Sequence, residues 1–213
     1  MRISRLTVGA FQENCYLLVD AETSQAVLID PGEEGHRIVA AVAAASVQLQ
    51  AIWVTHAHLD HVGGIAEVKR HFDVPIFLHP DDLTLYTLAD RQAAAYGLPF
   101  DTPPLPEHEF AEGQSLELGS LRFSVLHAPG HAPGHVVLHG HGVAFCGDCI
   151  FAGSIGRTDL PMSDGRLLAR SLERIAELPA RTVLYPGHGP ETTLERELVS
   201  NPFLNGTARI VSG

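Results

Sequence analysis

The sequence predicts an α/β fold in which two sheets pack face to face with helices outside. Two observations carry this. Each half of the chain runs through strand-like apolar segments into a helical pattern and back to a strand, although no clear sequence repeat relates the halves. The chain has 213 residues, 45% of them hydrophobic, and no Gly/Ser/Pro-rich linker divides it, so one domain spanning 1–213 is expected.

In order, Ile3 to Gly9 and Cys15 to Asp20 read as strands around the turn Ala10 to Asn14. Ala26 to Ile29 is a third apolar run, stopped by Asp30-Pro31-Gly32. Glu33 and Glu34 favour a helix N-terminus through its dipole, and Ile38 to Val47 continues that helix. Ala51 to Thr55 is apolar and partly β-branched, a buried strand, and a helix follows to about His71. Val74 to Leu78 is a strand whose Pro75 marks a start or an edge. Asp81 to Tyr96 has helical spacing and Gly97 closes it; Leu98 to His108, with four prolines, is a loop. Strands resume at Ser115–Leu118, Leu121–Leu126, Val136–Leu138 and Val143–Cys146. Ser163 or Asp164 caps a helix through Leu178, Thr182–Tyr185 is the last strand, and Thr192 to Val199 is a short last helix.

The chemistry is concentrated in Thr55-His56-Ala57-His58-Leu59-Asp60-His61, where a strand passes into a helix. In extended chain His56 and His58 point to the same side, and the turn into the helix brings Asp60 and His61 to a neighbouring point. Imidazole nitrogen and carboxylate oxygen are ligands for zinc, iron or manganese, so the spacing offers two half-sites. Three further strand ends carry ligand-type groups: His127 to His135, Cys146-Gly147-Asp148 and Pro186-Gly187-His188-Gly189. Glycine beside each lets the backbone turn sharply and approach a metal.

The net charge of −11 argues against a nucleic-acid partner. Three cysteines form no disulfide framework and point to a reducing, cytoplasmic setting. Residues 1–10 lack the apolar stretch of a signal peptide, and the longest apolar run, Ile38 to Val47, is too short to cross a bilayer. A cytoplasmic enzyme acting on a small molecule, monomeric or a small homo-oligomer, is expected.

Together these motifs resemble the metallo-β-lactamase superfamily along nearly the whole chain. Within it, Phe11 to Tyr16, Pro129 to His135 and Gly156-Arg157-Thr158-Asp159 are similar to glyoxalase II, the hydroxyacylglutathione hydrolases, in their short single-domain form. The resemblance implies an αββα sandwich. It implies two divalent metal ions, zinc first and iron or manganese as alternatives. His56, His58 and His131 would hold one ion, and Asp60, His61 and His188 the other, with Asp148 bridging. Asp60 and Asp148 would thus belong to the catalytic centre. Two divalent ions against two carboxylates and one hydroxide leave a net positive site for an oxyanion. The implied reaction is attack of hydroxide on a thioester carbonyl, with a metal stabilising the developing oxyanion. S-lactoylglutathione is the implied substrate. Larger glyoxalase II enzymes add a helical C-terminal domain that holds glutathione; no such domain is expected here, so substrate carboxylates are left to groups such as Arg157, unless that side chain instead pairs with a structural carboxylate such as Asp159, or to water. Asp30 resembles the family's aspartate beside the metals, either hydrogen-bonded to a ligand or capping its own turn.

The remaining histidines have plainer readings. His135, His127 and His79 are expected to be structural, and His36, His71, His108, His139 and His141 to lie on the surface or in loops. Cys146 and Cys149 flank Asp148 and read as small buried groups rather than a redox pair. The same ligand motif serves other chemistries. The alternatives are a persulfide dioxygenase with one iron, and a lactonase or another hydrolase of the superfamily.

Overall fold

The structure is a computed structural model and describes residues 1–210. The first sheet contains β1 (Arg2–Val8), β2 (Glu13–Val19), β3 (Gln25–Ile29), β4 (Gln48–Trp53), β5 (Ile76–Leu78) and β6 (His108–Glu109), side by side in that order. β1 to β3 pair antiparallel, and β3 to β6 pair parallel. The second sheet contains β7 (Ser115–Leu118), β8 (Leu121–His127), β9 (Val136–Gly140) and β10 (Val143–Gly147) as a meander. Beyond β10, the hairpin β11 (Ile150–Phe151) and β12 (Ser154–Ile155) stands apart. β13 (Val183–Pro186) lies parallel to β10, and β14 (Thr192–Thr193) forms the edge.

Residue alternation sorts the core into three layers. On β2, β3 and β4 one set (Leu17, Leu28, Ile52) faces the helices α1 (Gly35–Ala45), α2 (Leu59–Val62), α3 (Ile65–His71), α4 (Leu83–Thr87) and α5 (Ala89–Ala95). The alternate set (Leu18, Ile29, Trp53) meets Phe123, Leu138 and Phe145 of the second sheet. On β10, Ala144 and Cys146 turn the other way, onto Leu168 and Leu172 of α6 (Gly165–Ile175) and Leu194 at the start of α7 (Leu194–Ser200). The layers are therefore helix, sheet, sheet, helix, the predicted αββα sandwich.

Several elements differ from expectation. The helix foreseen over Asp81–Tyr96 is broken into a 3-10 turn at Pro80–Asp82 followed by α4 and α5. The helix after the His motif begins at Leu59 and is interrupted at Gly63-Gly64, where a Cβ on Gly64 would lie 2.1 Å from the Gly32 carbonyl. The carboxylates of Glu33 and Glu34 do not cap α1. They accept from the N–H groups of Ala10 and Gly9, tying that helix entry to the β1–β2 turn. Of the two cap candidates for α6, Asp164 accepts from the N–H groups of Arg166 and Leu167. Ser163 instead donates to the His131 carbonyl at 2.8 Å.

The two sheets are stitched where β2 begins and β13 ends. Asn14 donates through its backbone N–H to the Gly187 carbonyl at 2.7 Å and through its side chain to the Pro186 and Gly189 carbonyls. Tyr16, packed against Phe145 and Tyr185, donates its hydroxyl to the same Pro186 carbonyl at 2.6 Å. Tyr16→Phe removes that donor while the Pro186 carbonyl keeps the Asn14 side chain, and should cost about 0.5–1.5 kcal/mol. For a chain of this size that is a fall in Tm of roughly 1–6 °C by calorimetry.

Candidate metal centre

Four chain segments deliver the site. His56 and His58 lie in the extended stretch between β4 and α2, and Asp60 and His61 lie in the first turn of α2. His131 sits in the loop joining β8 to β9, Asp148 follows β10, and His188 follows β13. The structure brings all seven together. Asp148 is central: Oδ1 lies 3.5 Å from His61 Nε2, and Oδ2 lies 3.5 Å from His131 Nε2 and 3.4 Å from His188 Nε2. His188 Nε2 is also 3.2 Å from Asp60 Oδ2, and His58 Nδ1 is 2.9 Å from His131 Nε2. Four groups among the described residues have ligand atoms within 4.8 Å of one another; two of them, His56, His58 and His131, and Asp60, His61 and His188, are the expected ligand sets, and the others are Asp30, His56 and His61, and His79, Asp81 and His127.

Hydrogen bonds on the far side of the rings orient them. The Thr55 hydroxyl donates to Asp30 Oδ2 at 2.6 Å, so it accepts from His56 Nδ1, 3.2 Å away. His61 Nδ1 donates to Asp30 Oδ2 at 3.1 Å, His131 Nδ1 to the Arg157 carbonyl at 2.8 Å, and His188 Nδ1 to the Phe11 carbonyl at 3.1 Å. This network assigns the proton to Nδ1 and leaves each Nε2 with a bare lone pair facing inward. His56 Nε2, His61 Nε2 and Asp148 Oδ1 are buried without a hydrogen-bond partner. Buried polar atoms of this kind ordinarily have partners, and convergent lone pairs fit a cation. The donor set, imidazole and carboxylate, is suited to divalent metal binding.

The charge pattern agrees. Burial pushes the imidazoles of His56, His58 and His131 down, His58 to about 3, so these three are neutral and able to ligate. For His61 and His188 burial acts the same way but is outweighed by Asp148 and Asp60, which raise both, His188 to about 9. These carboxylates draw a positive charge to the spot, and a divalent cation supplies it in place of protons.

Asp30 stands behind the metal-facing groups, with Oδ1 accepting from the Thr55 N–H at 2.6 Å and Oδ2 from Thr55 and His61. Its side chain holds the ring and does not cap the turn. His135 also faces away from the lumen: Nε2 accepts from the Asp148 N–H at 3.0 Å, and Nδ1 lies 3.3 Å from the Cys149 sulfur. His79 and His127 stack on each other, centroids 4.0 Å apart. All three cysteines are buried free thiols. Gly187 is required by proximity, since a Cβ there would lie 2.2 Å from Asp148 Oδ1.

Two carboxylates were not foreseen from sequence. Asp82, fully buried, accepts from the Ala57 N–H at 2.8 Å with one oxygen and from the Gly134 N–H with the other. It clamps the His56–His58 segment to the His131 loop. Burial raises Asp82 to about 6 against the pull of those two bonds. Glu13 is buried 3.8 Å from His61 Nδ1 with neither carboxylate oxygen hydrogen-bonded, and burial raises it well above the usual carboxylate range. A carboxylate two residues after a 3-10 start, or at a strand start, carries no local pattern that marks either role.

The site opens into a cleft of about 740 Å³. One wall is α4 and α5, with Leu85, Leu88, Gln92 and Tyr96; the other runs from Phe151 to Met162. Residues 98–108 do not line it. Arg157 lines the cleft, but its guanidinium makes a two-pronged pair with Asp159, at 2.7 and 2.9 Å.

Residues 8–188 match the model of the metallo-beta-lactamase superfamily. The chain belongs to that superfamily. It is 40% identical to the hydroxyacylglutathione hydrolase GloC of Haemophilus influenzae, over 96% of this chain and 99% of that protein. Among solved structures it is similar to the BLEG-1 B3 metallo-beta-lactamase, with a TM-score of 0.90 and 36% identity over 96% of this chain and all of that one. It is also similar to TTHA1623 in a di-iron-bound form, with a TM-score of 0.88 and 45% identity over 94% and 100%. As a member of the metallo-beta-lactamase superfamily with hydroxyacylglutathione hydrolase relatives, the chain is a metal-dependent hydrolase. No described helix is long and apolar enough to cross a membrane.

Asp82→Ala leaves two buried N–H groups without acceptors and should destabilise the chain by about 2–4 kcal/mol. Denaturant unfolding measures this, and retained metal affinity alongside that loss would refute the clamp.

Proposed function

We propose that the chain hydrolyses small-molecule thioesters, S-lactoylglutathione among them, at a two-metal centre. The observation that carries the reading is the near-full-length similarity to a hydroxyacylglutathione hydrolase, joined to a lone-pair arrangement that fits cations. His56, His58 and His131 would hold one divalent ion and Asp60, His61 and His188 the other, with Asp148, whose oxygens face both groups, shared between them. Zinc suits the donor set, and the di-iron form of TTHA1623 supports iron as the alternative. When bound, such a pair lowers the pKa of water toward about 7 and polarises a carbonyl oxygen.

The chain's own groups do the positioning. Thr55, Asp30 and the Phe11 and Arg157 carbonyls fix ring tautomer and direction. Asp60, its side chain 15% exposed and lining the cleft, presents Oδ2 to the lumen 3.2 Å from His188 Nε2, where the two would share one ion. A thiolate is a good leaving group, so no protein acid is needed on that side. The mostly apolar cleft walls limit water around the substrate.

Asp148→Ala should lose both ions and lower hydrolysis at least about a thousandfold, because one carboxylate serves two ligand sets. Elemental analysis giving a single tightly held ion per chain in fully active protein would refute the two-metal reading.

Thioester hydrolysis, β-lactam hydrolysis and oxygen consumption with a persulfide, measured side by side, separate the substrate alternatives. The thioester should be turned over with kcat/KM at least about a hundredfold above the β-lactam, and kcat/KM should rise with pH near neutrality. Oxygen uptake without thioester cleavage would overturn the assignment.

A further inference from the structure

Two arginines line the cleft, Arg91 and Arg157. Their situations differ. Nε and Nη2 of Arg157 are engaged by Asp159 in an exposed two-pronged pair, so that fork must give up a partner before it can hold a substrate carboxylate. Arg91, on α5, has no side-chain hydrogen bond and no ion pair among the described residues. The adjacent Asp90 does not take it up, since its carboxylate accepts the backbone N–H of Arg91 at 2.7 Å. The same helix places Leu88 and Gln92 on the cleft, while Ala89 and Ala93 bury the opposite side. Arg91 is thus an uncommitted guanidinium on an otherwise largely apolar wall.

We infer that Arg91, rather than Arg157, is the anion-recognition group of the cleft, and that it selects thioesters carrying one carboxylate on an apolar arm. This rests on the thioester reading and names the substrate class within it. A guanidinium offers a planar fork that fits one carboxylate through two parallel hydrogen bonds. Leu88, Tyr96 and Met162 supply apolar contact for the arm between that carboxylate and the thioester. A second anionic group of the substrate meets no other unpaired arginine on the cleft among the described residues, since Arg157 is paired with Asp159. Glutathione, with two carboxylates and an ammonium group, therefore gains from only one of its charges here.

The test uses metal-loaded protein and a thioether that cannot be hydrolysed, 3-(butylthio)propanoic acid, against its carboxamide. Calorimetric titration of wild type, Arg91→Gln, Arg91→Glu and Arg157→Gln reads binding independently of turnover. Arg91 is exposed, so the acid should bind about three- to fivefold more weakly to Arg91→Gln and about tenfold more weakly to Arg91→Glu, as for a solvent-exposed ion pair. The carboxamide should bind all four proteins alike, and Arg157→Gln should leave the acid's affinity unchanged. Equal affinity of the acid for wild type and Arg91→Glu would overturn the inference, and so would a loss confined to Arg157→Gln. The thioester reading is judged separately, by wild-type hydrolysis of a neutral acyl thioester of 2-mercaptoethanol. Absence of that hydrolysis would count against the thioester reading alone, because the titrations measure binding at Arg91 without any turnover.

Discussion

The structure depends on holding bare imidazole nitrogens against one another in its interior. Each ring would find an easier home by turning Nε2 toward water or a protein donor. Four of the five cannot, because their Nδ1–H groups are tied from behind: His56 to Thr55, His61 to Asp30, His131 to the Arg157 carbonyl and His188 to the Phe11 carbonyl, while His58 turns Nδ1 itself inward toward His131. The partners come from separate stretches of chain, so the site's geometry is a property of the whole fold. Asp148 joins the ring nitrogens at 3.4–3.5 Å, a spacing that leaves room for a bridging charge rather than a direct hydrogen bond.

Sheet topology explains how this constraint is met. β4 in one sheet and the parallel pair β10 and β13 in the other all end on the same edge of the sandwich. Side-chain alternation seals each sheet against its neighbours up to the last strand residue, and the chain then leaves the ladder to present polar groups. The Asn14 and Tyr16 bonds to the β13 end stop the two sheets from parting at that edge.

Much of this was legible from residue order. The seven residues Thr55 to His61 announce themselves because ligand types crowd a strand-to-helix passage, and His131, Asp148 and His188 because each has a neighbouring glycine at a strand end. The three core layers follow from period-two alternation on β2 to β4 and β10. What escaped was information carried between distant backbones. Asp82 acts through N–H groups 25 and 52 residues away, and no side-chain pattern encodes a backbone partner. The strands β6, β11, β12 and β14 have two residues each, too short for any periodicity. The break between α4 and α5 lies at Leu88, whose residue type favours helix and so hides it. The sequence leaves Arg157 open to a substrate carboxylate or to Asp159, and in the fold Asp159, two positions on, turns back onto it.

The cleft walls are attached differently from the floor. The floor is set by strand ends and their ties, whereas α4, α5 and the stretch from Phe151 to Met162 contribute nothing to either six-stranded ladder. Leu88, Tyr96 and Met162 turn toward the opening, and the buried residues of those segments do the anchoring. Sequence drift on the walls therefore reshapes the opening without disturbing the ladders below. Chains of this architecture can diverge in diet while keeping one hydrolytic engine, and the record of that divergence should be written in the walls.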